Sequence, residues 1–293
     1  MASGRKRKAQ HAGSWYTDSG DELRSQLTGW LRDASASCKA ARAIIAPHAG
    51  YSYSGPTAAW AYKHVETENI KRVFLLGPSH HMHSSKCLLS SCTQYDTPLG
   101  PIPIDDATYQ ELGGTGAFDE MSVSADEREH SLEMHLPYIH HVMGGRPYTL
   151  VPIMVGALSE AAEARYGKLL AKYLLDPATL FVVSSDFCHW GERFQFTYHE
   201  PKHGEIADSI EALDRAGMAH IEAQDAAGFA AYQRQFRNTI CGRHPIAVLL
   251  HALAEARGTQ AHVCKFVRYA QSSRARSAGD SSVSYASAVI STA

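Results

Sequence analysis

Four short hydrophobic runs of this chain each end in side chains that can bind metals. They are IIAPHAGY with His48, VFLLGPSHH with His80 and His81, LFVVSSDFCHW with Asp186, Cys188 and His189, and TICGRHP with Cys241 and His244. Three of the four runs are rich in Ile, Val, Leu and Phe, which is typical of strands buried on both faces. In an open α/β sheet, ligands bind beyond the carboxyl ends of the strands. The pattern therefore predicts one pocket that gathers residues distant in sequence.

Strand and helix patterns alternate along all 293 residues, which favours a single α/β domain. We predict strands at 43–46, 72–76, 86–91, 149–155, 180–184, 263–270 and 283–290. Helices are predicted at 21–31, 57–64, 107–112, 161–175, 203–220, 226–236 and 242–256, the second of them opened by Pro56. The segment 129–137 is amphipathic, and residues 96–106 are predicted to be loop or edge material.

The bulk composition excludes several classes of protein. Hydrophobic residues make up 44% and charged residues 20%, as in ordinary globular proteins, and the net charge of −2 offers no field for nucleic acid or an anionic membrane. No apolar run approaches the length of a membrane span. Six cysteines without a CxxC pair, and the lack of a signal peptide, predict reduced thiols in the cytoplasm, with the nucleus as an alternative location.

The N-terminal basic cluster, Arg5 to Lys8, is short and isolated. Residues 1–10 are therefore predicted to be a disordered, solvated tail, and residues 11–293 to form the domain. Nuclear targeting or a nucleic-acid contact is the weaker alternative for this tail.

His48 and His80 are the first candidate metal ligands. Each follows a proline and has a glycine close by, which gives the rigid backbone and small neighbours of a preorganised site. A lone histidine is more often a hydrogen-bonded structural residue, but three histidine-bearing strand ends in one chain favour the ligand role. Cys241 lies just before a predicted helix, whose dipole would lower the pKa of the thiol. A buried, inert cysteine is an equally good interpretation.

Asp186 and His189 form a second candidate pair, in which the carboxylate would fix the tautomer of the imidazole. Asp186 could also cap a turn, and the two roles are compatible. Cys188 should point away from His189 and pack in the core. Aromatic and histidine side chains near these segments could line a binding cleft or merely pack beneath its loops; they are Trp15, Tyr16, Tyr51, Tyr53, His130 and His135.

Seven motifs together closely resemble the Memo family, from His11 to about Ala288. They are HAGSWY, IIAPHAGYSYSG, LLGPSHH, EHSLEMHLPY, VVSSDFCHWG, NTICGRHPI and YAQSS. The resemblance implies a mixed sheet flanked by helices with one pocket, similar to the class III extradiol dioxygenases that use non-haem iron. It implies metal ligands at His48, His80 and Cys241, and a general base at His189 beside Asp186. It further implies that Trp15, Tyr53 and Phe187 line the pocket that contacts a phosphotyrosine peptide in the animal relative.

The cysteine departs from the two histidines and one carboxylate of those dioxygenases. A thiolate is softer and favours copper or zinc, so ring cleavage is not expected. The resemblance instead implies copper-dependent redox activity on O₂ or reactive oxygen species, linked to cell motility and cytoskeletal signalling, with iron and zinc as alternative metals.

Two other functions stay open. One is a non-catalytic binding protein for phosphotyrosine peptides of signalling receptors, held by imidazoles, Arg243 and the aromatic wall. The other is copper sequestration without turnover.

Overall fold

A computed structural model describes residues 4–293 of the chain. Its strands are β1 Lys6–Arg7, β2 Ala41–Ala46, β3 Arg72–Pro78, β4 Cys87–Ser90, β5 Gln94–Thr97, β6 Gly100–Pro103, β7 Asp119–Met121, β8 Thr149–Val155, β9 Thr179–Ser184, β10 His189–Trp190, β11 His262–Gln271 and β12 Ser282–Thr292. Its α-helices are α1 Gly20–Asp33, α2 Tyr51–Tyr62, α3 Asp106–Gly114, α4 Val123–Arg128, α5 His130–Glu133, α6 Leu136–Met143, α7 Glu160–Leu175, α8 Ile206–Glu222, α9 Ala226–Phe236 and α10 Arg243–Ala256.

A nine-stranded mixed sheet forms the centre of the molecule, in the order β10-β12-β2-β9-β3-β8-β4-β7 with β11 paired to β12. The strands β2, β9, β3 and β8 run parallel, while β12 is antiparallel to β2 and β4 is antiparallel to β8. A small second sheet has the order β1-β5-β6. The α/β fold with a mixed sheet flanked by helices is thus confirmed.

Alternate residues of the central strands feed two separate cores. In β2, Ala43 and Ile45 pack with α7 and α10 on one side, and Ile44 and Ala46 pack with α1 and α2 on the other. This double burial explains why the central residues of β2, β3 and β9 form continuous apolar runs rather than alternating with polar residues. No helix within residues 4–293 combines the length and apolarity that a membrane crossing requires.

Most predicted elements match the structure within a few residues, and β8 and α9 match residue for residue. The start of α2 was predicted wrongly. The helix begins at Tyr51, after Gly50, and contains Pro56 in its interior rather than in its first turn. The backbone N–H of Tyr51 donates to the Trp15 carbonyl at 2.9 Å, so a contact distant in sequence fixes the helix start.

The basic segment is not a solvated tail from residue 4 onward. Lys6–Arg7 pairs in parallel with Gln94–Tyr95, and the Arg7 side chain is fully buried. Its guanidinium donates to Asp126 at 2.9 Å and to Glu133 at 2.7 Å. The prediction failed because local composition does not reveal two buried carboxylates more than a hundred residues away. Residues 1–3 of the predicted tail lie outside the described residues.

Removing the Arg7 side chain should destabilise the fold strongly. Arg7→Ala would leave two buried carboxylates without their cation, a change that costs about 3–5 kcal/mol. Urea denaturation at neutral pH measures the free energy of unfolding. The exposed neighbour provides the control, since Lys6→Ala should change stability by no more than about 0.5 kcal/mol. Equal, small effects of both substitutions would show that the N-terminal segment is dispensable.

Candidate metal centre and cavity

Three of the candidate side chains lie just beyond the carboxyl ends of three parallel strands, at one edge of the sheet. His48 follows the end of β2, His80 follows the end of β3, and Asp186 follows the end of β9. Cys241 arrives from the linker between α9 and α10. Ligand atoms of His48, His80 and Cys241 all lie within 4.8 Å of one another. The structure therefore brings together the three residues that sequence separates by up to 193 positions.

The His48 ring is held with one nitrogen directed at the cluster. Its Nδ1–H donates to the Ser184 hydroxyl at 2.6 Å, because that hydroxyl donates its own proton to the Ser131 carbonyl at 2.7 Å. The unprotonated Nε2 lies 3.3 Å from Cys241 Sγ. Burial, with repulsion from His80 and other neighbouring imidazoles, lowers the pKa of His48 well below its ordinary value. His48 is thus a neutral imidazole with a lone pair available for a metal.

Glu129 holds His80 in the same way. The Glu129 carboxylate accepts from His80 Nδ1 at 2.8 Å and from the His80 backbone N–H at 2.6 Å. Burial acts to raise the pKa of Glu129, but the hydrogen bonds that the carboxylate accepts from His80 prevail and lower it to about 2. The carboxylate therefore keeps the proton of His80 on Nδ1 and leaves Nε2 free. A carboxylate behind a ligating histidine is a common arrangement in metal sites.

The environment of Cys241 differs from the prediction. Its Sγ accepts from the Asp186 backbone N–H at 3.2 Å. Burial, and next the negative charge of Asp186, raise the pKa of the Cys241 thiol well above its ordinary value. The expected lowering by the helix dipole is wrong because α10 begins only at Arg243 and desolvation outweighs it. Without a metal the residue is a thiol, and metal binding must displace its proton.

Asp186 does not orient His189, contrary to the sequence interpretation. Its carboxylate accepts from the His48 backbone N–H at 2.8 Å, so it fixes the loop that carries the first histidine. Backbone carbonyls of Phe187 and Thr239 accept from His189 Nδ1 at 2.9 and 3.2 Å. The Thr239 hydroxyl also accepts from the His189 backbone N–H at 2.7 Å. Nε2 of His189 therefore remains available to a molecule in the adjoining cavity.

An open cavity of about 780 Å³ lies over the cluster. Its wall includes Asp186 and His189 together with two exposed aromatic side chains, Trp15 at 37% and Tyr53 at 63% exposure. His130, predicted either to line the cleft or to pack beneath its loops, lies in the wall. Its ring stacks on His80 and lies tilted against Trp15, with ring centroids 4.3 and 4.5 Å away.

Other sequence candidates lie elsewhere. Phe187 is fully buried against Phe266 in the core and does not line the cavity, because it points away from the edge at which its neighbours emerge. Cys188 is a core residue, as predicted. Arg243 lines a different cavity, and Arg193 is the arginine in this one. Sequence reasoning missed Glu129 and Ser184, although both lie inside the motifs that carry His130 and Asp186.

The protonation state of Cys241 can be tested by alkylation of metal-free protein. Because only the thiolate reacts, a raised pKa means that the rate should climb about tenfold per pH unit from about pH 7 to beyond about pH 9. Peptide mass spectrometry after timed iodoacetamide treatment follows this residue alone, with Cys241→Ser as the blank. A rate that levels off below about pH 8 would restore the helix-dipole interpretation.

Comparison with known proteins places this geometry in a family. A profile described as Memo-like protein matches residues 7–289. Protein MEMO1 of Rattus norvegicus is 53% identical over 287 residues, covering 97% of both chains, and Protein MEMO1 of Homo sapiens is 52% identical over the same shares. Protein memo-1 homolog of Caenorhabditis elegans is 46% identical and covers 97% of this chain and 82% of the worm protein. A solved structure of an uncharacterized protein from Escherichia coli K12 is a remote likeness, with 12% identity, a TM-score of 0.49, and coverage of 83% and 98%.

Proposed function

The chain belongs to the Memo family, and from this we propose that His48, His80 and Cys241 hold a copper ion for redox chemistry with O₂ or reactive oxygen species. The observation that carries the proposal is the set of donor atoms. One ring nitrogen of His48, one of His80 and the sulfur of Cys241 lie within 4.8 Å of one another. Sulfur and imidazole donors suit copper, and also zinc or iron, better than hard cations.

The supporting residues fit this role. Ser184 and Glu129 fix the tautomers of the two histidines, so little reorganisation is needed when the ion enters. Copper, when bound, would supply one-electron redox chemistry at the floor of the cavity. Ring cleavage is not proposed, because a thiolate stands where the dioxygenases have a carboxylate.

His189 is the residue that we propose moves protons in this reaction. Two carbonyls fix its Nδ1–H, so Nε2 can accept a proton from a molecule in the cavity and return it. Asp186 supports the site through the His48 backbone. Trp15 and Tyr53 flank the opening, where they would limit the access of water to a small substrate or O₂.

The metal assignment predicts selective loss of copper. His48→Ala and Cys241→Ser should each retain less than about a tenth of the copper bound by the reduced wild-type protein, because each removes one of three donors. Glu129→Gln should keep the ligands but weaken affinity about 10- to 100-fold. Elemental analysis and competition with a copper chelator measure both effects.

Matched controls lie away from the cluster. The exposed His199 and the half-buried Cys38 provide His199→Ala and Cys38→Ser, which should bind copper like the wild type. Full copper retention by His48→Ala and Cys241→Ser would refute the assignment. Oxygen consumption then separates the two metal functions: turnover that falls in His189→Gln supports redox activity, and tight Cu(I) binding without turnover supports sequestration.

The aromatic opening favours a second candidate function, the binding of phosphotyrosine peptides from signalling receptors. Trp15 and Tyr53 are large, exposed and adjacent to the cavity, and Arg193 lies in the same wall. Arginine forms paired hydrogen bonds with phosphate, and aromatic faces pack on a tyrosine ring. A role in cell motility and cytoskeletal signalling, which the family resemblance implies, would be exercised through such a contact.

Calorimetry with a phosphotyrosine peptide and its unphosphorylated form tests this function. Arg193→Ala should weaken binding of the phosphorylated peptide about tenfold or more through the loss of a charge-assisted contact. Arg243→Ala, in the wall of a different cavity, should leave it unchanged. Absence of binding with and without copper, or equal binding of both peptides, would dispose of the peptide function.

A further inference from the structure

A second cavity, of about 560 Å³, lies among α7, α9, α10 and the linker that precedes α10. Its volume is within the range of small-molecule sites, roughly 300–1,000 Å³. None of its lining residues belongs to the metal cluster. They are Leu158, Ser159, Glu160, Glu163, Phe229, Ala230, Gln233, Arg234, Arg237, Asn238, Thr239, Arg243, His244 and Ala247.

Two side-chain amides in this wall, those of Asn238 and Gln233, each have one atom without a partner among the described residues. Asn238 is only 3% exposed, and its Nδ2 donates to Asp214 at 2.9 Å and to Tyr232 at 2.8 Å. Its Oδ1 has no hydrogen-bond partner among the described residues, and neither has Nε2 of Gln233. Buried polar atoms are almost always paired. Both residues line the cavity, so one unpaired acceptor and one unpaired donor lie beside it.

The charges around the cavity favour an anion. Glu160 pairs with Arg234, and Glu163 accepts from His244 Nδ1 at 2.6 Å. Arg237 and Arg243 are exposed and form no ion pair within residues 4–293. Two guanidinium groups thus remain free to bind a carboxylate or phosphate.

The remaining wall is apolar. The side chains of Leu158, Phe229 and Ala247 are buried and uncharged, and they offer an apolar surface for a hydrocarbon or aromatic group. Their burial beside two free arginines gives the cavity the mixed character of small-molecule sites, in which apolar walls carry a few placed polar groups.

We propose that this second cavity binds a small organic anion with an apolar body and a hydroxyl or amine donor. The anionic group pairs with Arg237 and Arg243, the body packs on Phe229 and Leu158, and the donor reaches Asn238 Oδ1. This ligand site is separate from the copper cluster and does not depend on it.

A small aromatic acid provides the probe. 4-Hydroxybenzoate carries all three features, benzoate lacks the donor, and 4-hydroxybenzamide lacks the charge. Calorimetry and amide spectra of the full, metal-free chain should show saturable binding of 4-hydroxybenzoate, with each of the other two compounds roughly tenfold weaker. His48→Ala should bind the probe as the wild type does, which separates this site from the copper assignment.

Three variants locate the binding. Arg243→Ala should weaken 4-hydroxybenzoate binding roughly tenfold. Ala230→Trp should abolish this binding by filling the cavity. Arg193→Ala should leave 4-hydroxybenzoate binding unchanged, because Arg193 lies in the other cavity. No saturable binding at roughly 10 mM probe would overturn the proposal. Binding that resists Ala230→Trp, or that is lost in Arg193→Ala instead, would also overturn it.

Discussion

The parallel register of β2, β9 and β3 is the constraint on which the candidate site depends. Ala46 pairs with Ser184, and Leu76 pairs with Val183, so the three strands finish side by side. A one-residue shift in any of them would carry its terminal side chain away from the shared point and exchange the residues that pack in the two cores. The two apolar cores, one on each side of the sheet, oppose such shifts. The donor geometry is thus a product of core packing as much as of the ligands themselves.

Four buried charged side chains lie together around α4 and α5: Arg7, Asp126, Glu129 and Glu133. Arg7 pairs with both Asp126 and Glu133, and Glu129 accepts hydrogen bonds from the His80 backbone and ring. Buried carboxylates are tolerated only with such partners. The Glu133 carboxylate also accepts a hydrogen bond from the His11 ring. One polar network thus joins β1, the loop that carries His11 and Trp15, and α5. That network gives the opening of the cavity a rigid base.

Sequence patterns predicted seven of the twelve strands within residues 4–293 and the convergence of His48 and His80, because apolar runs and their polar ends are local signals, but they missed the short strands β1, β5, β6, β7 and β10. They failed wherever a partner distant in sequence decided the outcome. Arg7 was predicted to lie in a charged tail, but its side chain pairs with Asp126. Asp186 was predicted to be the partner of His189, but its carboxylate accepts a hydrogen bond from the His48 backbone N–H. Glu129 opens the segment EHSLEMHLPY, yet nothing in the local sequence distinguishes it from a surface glutamate. Phe187 followed the family pattern for pocket residues, but its side chain packs inward.

The linker between α9 and α10 lines the second cavity and also holds His189, which lines the first. Thr239 clamps His189 with its hydroxyl and its carbonyl, while its other side borders the second cavity beside Asn238. A substitution at Asn238 or Thr239 that suited a new ligand in the second cavity would also tilt the His189 ring in the first cavity. Few substitutions can satisfy both demands at once, so the stretch should evolve slowly even where the surrounding helices drift.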